Sequence, residues 1–182
     1  MAEDATLLRA IRKLDQEALI TVFDTYAPIL YKYALRLCGN SSEADDIVGE
    51  VFSELLKHLK NGQGPRTNLR SYLYQVAYHK VVDHCRDSDH LTTLDNIESI
   101  KNGDSLQTQQ EDHDQVSLLE SIIKDHLSED QRHVIVLRFI EEFSLKETAD
   151  IIGKNVNNIK VIQNRAIAKI RSVLEPSERE SL

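Results

Sequence analysis

The stretch FSLKETADIIGKNVNNIK, residues 143–160, decides the fold. Ser144 and Glu147 have the spacing of a capping box, which predicts that a short helix begins directly after the serine. Gly153 is a typical helix stop, and Asn155 can cap a second helix that follows it. A short helix, a glycine turn and a longer helix together predict a helix-turn-helix.

The longer of these two helices is the strongest candidate for contact with duplex DNA. Residues 154–171 contain five basic residues and no acidic residue, in a chain of formal net charge −8. Asparagine can pair with adenine, arginine with guanine and lysine with phosphate, and an apolar side chain can meet a thymine methyl group. The alternative is a basic helix face that is simply solvated. The predicted contact residues are Asn155, Asn157, Asn158, Lys160, Val161, Asn164, Arg165 and Lys169.

A second basic stretch precedes this motif in the chain. Residues 60–82 contain four basic residues, no acidic residue and three tyrosines, beside a Gly/Pro loop. Aromatic faces and cations are what unstacked bases and their phosphates need, so this stretch is suited to single-stranded or opened DNA. The alternative is that the tyrosines are half-buried core residues. The predicted contact residues are Arg66, Thr67, Asn68, Arg70, Tyr72, Tyr74, Gln75, Tyr78 and Lys80.

The segment from residue 41 to residue 56 has the opposite charge, with five acidic residues and no basic one. Acids in the first turn favour the helix dipole, which is a sufficient structural reason for Asp45 and Asp46. Glu50 and Glu54 need another account and could meet a basic protein partner. Gly49 inside a helix costs about 1 kcal/mol relative to alanine, which suggests a close backbone approach.

Apolar periodicity predicts an all-α chain with a four-helix domain on each side of a linker. The predicted domains are residues 1–86, an acidic flexible linker at 87–114, a helix-turn-helix domain at 115–176 and a tail at 177–182. The predicted helices are 5–20, 23–38, 42–59, 69–85, 115–127, 129–142, 145–152 and 155–174.

The acidic excess lies almost entirely in the linker. The chain has 182 residues, with 22 Lys and Arg against 30 Asp and Glu, and residues 87–114 carry a net charge of −7. Both flanking domains have a net charge close to zero, although each contains segments with charges of a single sign. We expect the free chain to bind DNA weakly by bulk electrostatics.

Other classes of protein have little support. No apolar run approaches the ~20 residues of a membrane span, and the acidic N-terminus lacks a signal-peptide pattern. Two cysteines are too few for a disulfide framework, which predicts a cytoplasmic protein without a resident metal or cofactor. His79 and Asp83 are spaced as a conceivable metal pair, but no second ligand pair stands out.

Several strings, in this order and spacing, resemble the extracytoplasmic-function group of the sigma-70 family, the promoter-specificity subunits of bacterial RNA polymerase. The resemblance covers about residues 6–86 and 115–174. The matching strings are YAP at 26–28, LYKYA at 30–34, ADDIVGEVF at 44–52, LRSYLYQVA at 69–77, LSEDQR at 127–132, VLRF at 136–139 and FSLKETA at 143–149.

The resemblance implies a role for each charged segment. The acidic helix would dock on the clamp helices of the largest polymerase subunit through Asp45, Asp46, Glu50 and Phe52. The second domain would meet the flap of the second-largest subunit. Loop 66–68 and the following helix would capture unstacked bases of the −10 element, and the last helix would read the −35 element as duplex. A protein inhibitor, an anti-sigma factor, is implied as a further partner.

The chain departs from the family pattern in its last helix. The family usually has a Val-Lys-Ser-Arg-Leu-like run where this chain has residues 159–163, so Val161 and Ile162 are apolar. Either the helix is rotated, or an apolar side chain meets thymine methyls, or this face belongs to a protein inhibitor. We therefore predict a non-catalytic sigma factor that acts with core polymerase and promoter DNA. The alternatives are a stand-alone helix-turn-helix regulator and a small metal-dependent helical enzyme.

Overall fold

The computed structural model describes the backbone of residues 2–91 and 122–174, and side chains from residue 5 to 84 and from 122 to 174. Every regular element in these ranges is helical, which confirms the all-α prediction. Most of the predicted linker, the predicted helix start at residue 115 and the predicted tail lie outside the described residues.

The first domain contains four helices, and the second contains a helix pair on each side of a tight turn. The bounds are α1 Ala2–Arg12, α2 Gln16–Cys38, α3 Ser41–Lys60, α4 Leu69–Leu91, α5 at residues 122–126, α6 Glu129–Ile135, α7 Leu145–Ile152 and α8 Val156–Leu174. A π-helical turn, Val136–Ile140, continues α6.

The prediction of one helix over residues 5–20 is wrong. The chain breaks at Leu14, which adopts a left-handed backbone with φ of 60°. Asp15 then caps α2, because its side chain accepts a hydrogen bond of 2.9 Å from the backbone N of Ala18. Asparagine, aspartate and serine are the preferred residues at this position, and Asp15 was the available signal.

The bounds of α3 and α4 also differ from the predictions. α3 is capped by Asn40, whose side chain accepts from the backbone N of Ser42 and of Glu43, so the helix begins at Ser41, one residue before the predicted start. A Cβ at Gly49 would meet no atom within 4 Å, so no close backbone approach explains this glycine. α4 continues beyond the predicted end at Cys85 to Leu91.

The predicted helix-turn-helix is confirmed. Capping boxes begin α6 at Ser128 and α7 at Ser144. Gly153 ends α7 with φ of 74°, and the Asn155 side chain accepts from the backbone N of Asn158 at 2.8 Å. The predicted helix over 129–142 is interrupted, because its last part is π-helical rather than α-helical.

The two domains share one buried core. In the first domain α2, α3 and α4 pack together around fully buried Leu30, Ile47 and Leu73. The same cluster continues into the second domain through Leu137 and Ile159, and α4 packs directly on α7. The helix-turn-helix is therefore held against the face of α4 that the sequence assigns to opened DNA.

Candidate nucleic-acid interface

The eight predicted contact residues of the last helix are all exposed: Asn155, Asn157, Asn158, Lys160, Val161, Asn164, Arg165 and Lys169. The helix is anchored from its other side by buried Ile159 and Ala166. Arg138 holds it further, because its Nε donates a 3.0 Å hydrogen bond to Oε1 of Gln163. α8 thus presents a polar and basic surface on a firmly packed helix, as major-groove reading requires.

The two apolar residues of this helix have different surroundings. Val161 is 47% exposed, whereas Ile162 is half-buried against the shared core. Ile162 therefore packs inward, whereas Val161 lies on the outer surface with Asn158 and Arg165. The helical spacing of these three residues places them on one side of α8.

The loop before α4 is partly open. Arg66, Thr67 and Gln75 are exposed and line a groove between this loop and α7. Asn68 is exposed but has a structural role, because its side chain accepts a 2.9 Å hydrogen bond from the backbone N of Ser71 at the start of α4. The sequence did not indicate this role.

Two other predicted −10 residues are covered by the second domain. The Tyr74 side chain is fully buried, and its hydroxyl donates to the carboxylate of Glu141. Arg70 donates a 2.5 Å hydrogen bond to the backbone oxygen of Glu141 and lies 4.2 Å from the ring centroid of Phe143. Burial and the bond to Glu141 raise the pKa of Tyr74 above its ordinary value, so it stays protonated.

Glu141 is a functional candidate that the sequence analysis missed. It is 9% exposed and also faces Arg36, with 3.9 Å between guanidinium and carboxylate. The sequence could have indicated this residue, because Glu141 and Glu142 end a predicted helix, where acidic side chains are unfavourable to the helix dipole. We call the contacts of Glu141 with Arg36, Arg70 and Tyr74 the interdomain latch.

A second set of contacts joins the domains beside the latch. The Tyr33 hydroxyl is hydrogen-bonded to Nδ1 of His133 at 3.0 Å, and the half-buried Tyr78 ring lies 4.7 Å from the His133 ring. Burial, with the nearby charge of Arg132, lowers the pKa of His133 to about 3. Burial likewise raises the pKa of Tyr33 well above its ordinary value. This contact therefore consists of neutral rings at neutral pH.

The remaining predicted −10 residues have partners inside the first domain. Tyr72 is half-buried with its hydroxyl 2.6 Å from Nδ1 of His58, and burial raises its pKa to about 12. The Lys80 ammonium lies 3.1 Å from Glu50 and 3.5 Å from Glu54. In the free chain, this ion cluster pairs both glutamates with Lys80.

Of the predicted polymerase-docking residues, two are exposed and two are buried or paired within the first domain. Asp45 and Asp46 are exposed, but Phe52 is 9% exposed and Glu50 pairs with Lys80 and His84. Burial would raise the pKa of Glu50, and hydrogen bonds from His84 and Lys80 outweigh it and lower that pKa.

An exposed apolar patch accompanies this acidic face, and the sequence analysis missed it. Ile20 is 52%, Phe23 49% and Leu56 39% exposed, and the Phe23 ring lies 4.8 Å from that of Phe52. The sequence could have predicted this patch, because α2 has more apolar residues than one helix face can bury.

Other classes of site receive no support from the described part of the chain. No three potential metal-ligating side chains converge there. His84, which follows the conceivable metal pair, is instead 3.1 Å from Glu50. Of the helices that the structure describes, none is long and apolar enough to cross a membrane.

Comparison with known proteins follows the two-domain division. Residues 22–90 match the family model for Sigma-70 region 2, and residues 125–172 match that for Sigma-70, region 4. The RNA polymerase sigma factor SigV of Bacillus subtilis is 28% identical over 155 residues, which are 84% of this chain and 89% of SigV.

Two further relatives extend the comparison. The ECF RNA polymerase sigma factor BldN of Streptomyces coelicolor is 25% identical over 91% of this chain, which spans 63% of BldN. The fold is that of the sigma factor RpoE of Bartonella quintana, solved in complex with the anti-sigma factor NepR. That likeness has a TM-score of 0.68 at 20% identity and covers 87% of this chain and 97% of RpoE.

Matches to both sigma-70 regions and to several sigma factors along most of its length agree with the helix-turn-helix and the exposed face of α8. The chain therefore belongs to the extracytoplasmic-function group of the sigma-70 family and directs promoter-specific transcription initiation by core RNA polymerase.

Proposed function

We propose that this sigma factor uses two separate DNA surfaces. α8 reads the −35 element as duplex, and the loop at residues 66–68 with α4 binds the opened −10 element. The observation that carries this proposal is the exposure of all eight predicted side chains along α8. The chain contributes contacts and no bond-forming chemistry, and it acts in the cytoplasm with the polymerase.

We further propose that the polymerase docks on the acidic face of α3. Asp45 and Asp46 are exposed on α3, which also carries exposed Leu56 and contacts Phe23 through Phe52. A helix with both kinds of residue suits a partner that is basic at its rim and apolar at its centre. The clamp helices of the largest subunit would take this surface, and the flap of the second-largest subunit would take the second domain.

The domains must separate before both DNA surfaces can act. The latch occupies Arg70 and Tyr74, so the closed arrangement is complete for −35 reading but not for −10 capture. We propose that the polymerase separates the domains and that an anti-sigma factor keeps them closed. The Bartonella quintana RpoE, which has the same fold, was solved in complex with an anti-sigma factor.

Transcription with purified components tests the function directly. Purified chain and core polymerase are mixed with a library of promoter fragments, and transcripts and protected DNA are mapped. We expect initiation with protection around both elements. Failure to bind core or to initiate on any fragment would overturn the proposal, and tight duplex binding without polymerase would indicate a stand-alone regulator.

Asn158→Ala tests the assignment of α8. The cap of this helix survives, because Asn155 accepts from the backbone N of Asn158 rather than from its side chain. We expect selection at one upstream base pair to relax by about 1–3 kcal/mol, with core binding unchanged. Ser172→Ala, near the other end of the helix, is the matched control. Equal upstream selection by both variants would contradict the assignment.

A further inference from the structure

A groove of about 810 Å³ lies between α1, α2 and the loop that precedes α4. Its apolar surface includes Leu69 and the half-buried Tyr26, and four arginines line it: Arg9, Arg12, Arg66 and Arg70. None of the described residues that line this groove carries a carboxylate, although the chain as a whole has a net charge of −8. The charge of these lining residues is therefore opposite to that of the molecule.

Three of the four arginines have no acidic partner among the described side chains. Arg70 reaches Glu141, but no described carboxylate lies within 4 Å of the guanidinium of Arg9, Arg12 or Arg66. Lys80 in the same domain is, by contrast, paired with Glu50 and Glu54. Uncompensated cations around an apolar surface favour a ligand that carries both phosphates and flat rings.

Position identifies that ligand as single-stranded DNA. The groove includes residues 66–68, the loop proposed above to hold the opened −10 strand, and it continues from there to α1. It also contains the first residues of α4, whose 23 residues place the positive end of a helix dipole there. Arg9 and Arg12 are exposed on the far side, where a strand leaving the loop would pass.

We propose that Arg9 and Arg12 bind phosphates of the opened non-template strand as it leaves loop 66–68, so that α1 is part of the single-strand site. This inference rests on the proposed function. It adds two residues and one helix that the sequence analysis left without a role. A base of this strand would lie against Tyr26 and Leu69, with its phosphates held by the two arginines.

The test measures how binding of a single strand depends on salt. Holoenzyme is titrated with the labelled non-template strand of a promoter selected in the transcription experiment, at several salt concentrations. Each phosphate contact on a single strand contributes about 0.7 to the slope of log K against log salt. We expect Arg9→Ala with Arg12→Ala to reduce the slope by about 1.4, and Arg9→Lys with Arg12→Lys to retain it.

Two variants control for the loss of positive charge: Lys13→Ala alone, and Lys13→Ala combined with Lys57→Ala. Both lysines are exposed, and neither lines the groove. A slope reduced equally by the control pair and the arginine pair would overturn the proposal, as would an unchanged slope. Weaker core binding with unchanged strand binding would assign the groove to the polymerase instead. Failure of the wild-type holoenzyme to initiate would overturn the proposed function itself. The arginine variants test only the groove, so their results leave that function standing.

Discussion

Val161 and Ile162 are adjacent in the chain but have different surroundings, because successive helical residues are about 100° apart around the axis. Ile162 packs against the shared core, and Val161 is 47% exposed on the side that carries Asn158 and Arg165. An apolar residue among polar ones on a recognition helix is suited to a thymine methyl group.

Replacing single thymines by deoxyuridine in the −35 element tests this contact, since only a methyl group is removed. We expect one position at which the replacement weakens wild-type binding about four-fold, the value for about 0.8 kcal/mol per buried methyl group. Val161→Ala should be insensitive at that position. Lys160→Ala should bind more weakly overall and keep the sensitivity. A Val161→Ala holoenzyme that still distinguishes the two bases would disprove the contact.

At the scale of single elements, caps decide where helices begin and end. Capping boxes at Ser128 and Ser144 could be read from the sequence because they depend on residues three apart. The break at Leu14 was missed because the apolar periodicity continues through it, although Asp15 directly after it is a typical helix cap. Asn40, Asp15 and Asn68 each cap a helix, and the first two of these residues each follow a left-handed residue, Gly39 and Leu14.

Two glycines with open surroundings give a matched pair of stability predictions. A Cβ would meet no atom within 4 Å at either position, but Gly49 is helical whereas Gly153 has φ of +74°. Gly49→Ala should stabilise the chain by about 1 kcal/mol, and Gly153→Ala should destabilise it by about 1–2 kcal/mol. Denaturant unfolding of both variants checks the signs. Destabilisation by Gly49→Ala would mean that its surroundings are not open.

For the whole molecule, the proposed function makes the availability of the −10 surface depend on how the two domains are arranged. Glu141 from the second domain binds Arg36, Arg70 and Tyr74 of the first, although it lies 67 residues from Tyr74 in the chain. Because Arg70→Ala would remove both a proposed DNA contact and a latch contact, it cannot separate the two roles. A change at Glu141 leaves the proposed DNA-binding side chains in place.

We expect Glu141→Ala to shift the free chain towards separated domains and to increase its affinity for the single-stranded −10 element. Energy transfer between labels on the two domains and strand binding by the free chain measure the two effects. Glu142→Asn is the control, because it removes a neighbouring charge and asparagine tolerates the φ of 56° found there. Unchanged energy transfer in Glu141→Ala would show that the latch does not hold the domains together.

The His133 contact predicts how stability depends on pH. The pKa of His133 is lowered from 6.5 to about 3 in the folded chain, so the unfolded chain binds a proton more strongly. This stabilising contribution is complete above pH 6.5 and is lost progressively as pH falls from about 6.5 towards 3. Tyr33 and Tyr78 face the ring, Arg132 lowers its pKa, and Asp130 opposes that shift.

Unfolding measured between pH 7.5 and 5 tests this contribution. His133→Gln removes the titrating group and should flatten the fall in stability, whereas His126→Gln at an exposed site should leave the fall as in the wild type. Carboxylates titrate mostly below this range and are common to all three proteins. Parallel curves for His133→Gln and the wild type would show that this histidine does not control the loss.

The sequence by itself determined the helical class, the helix-turn-helix and the charged character of each segment. These properties depend on residues within a turn or two of one another, such as Ser144 with Glu147, or the basic side chains along α8. Only the tertiary structure decided that Tyr74 is buried, that Lys80 is paired and that Arg9 shares a groove with Arg66. The physical reason is that burial and ion pairing depend on distances in space, and residues far apart in the chain meet only when the helices pack.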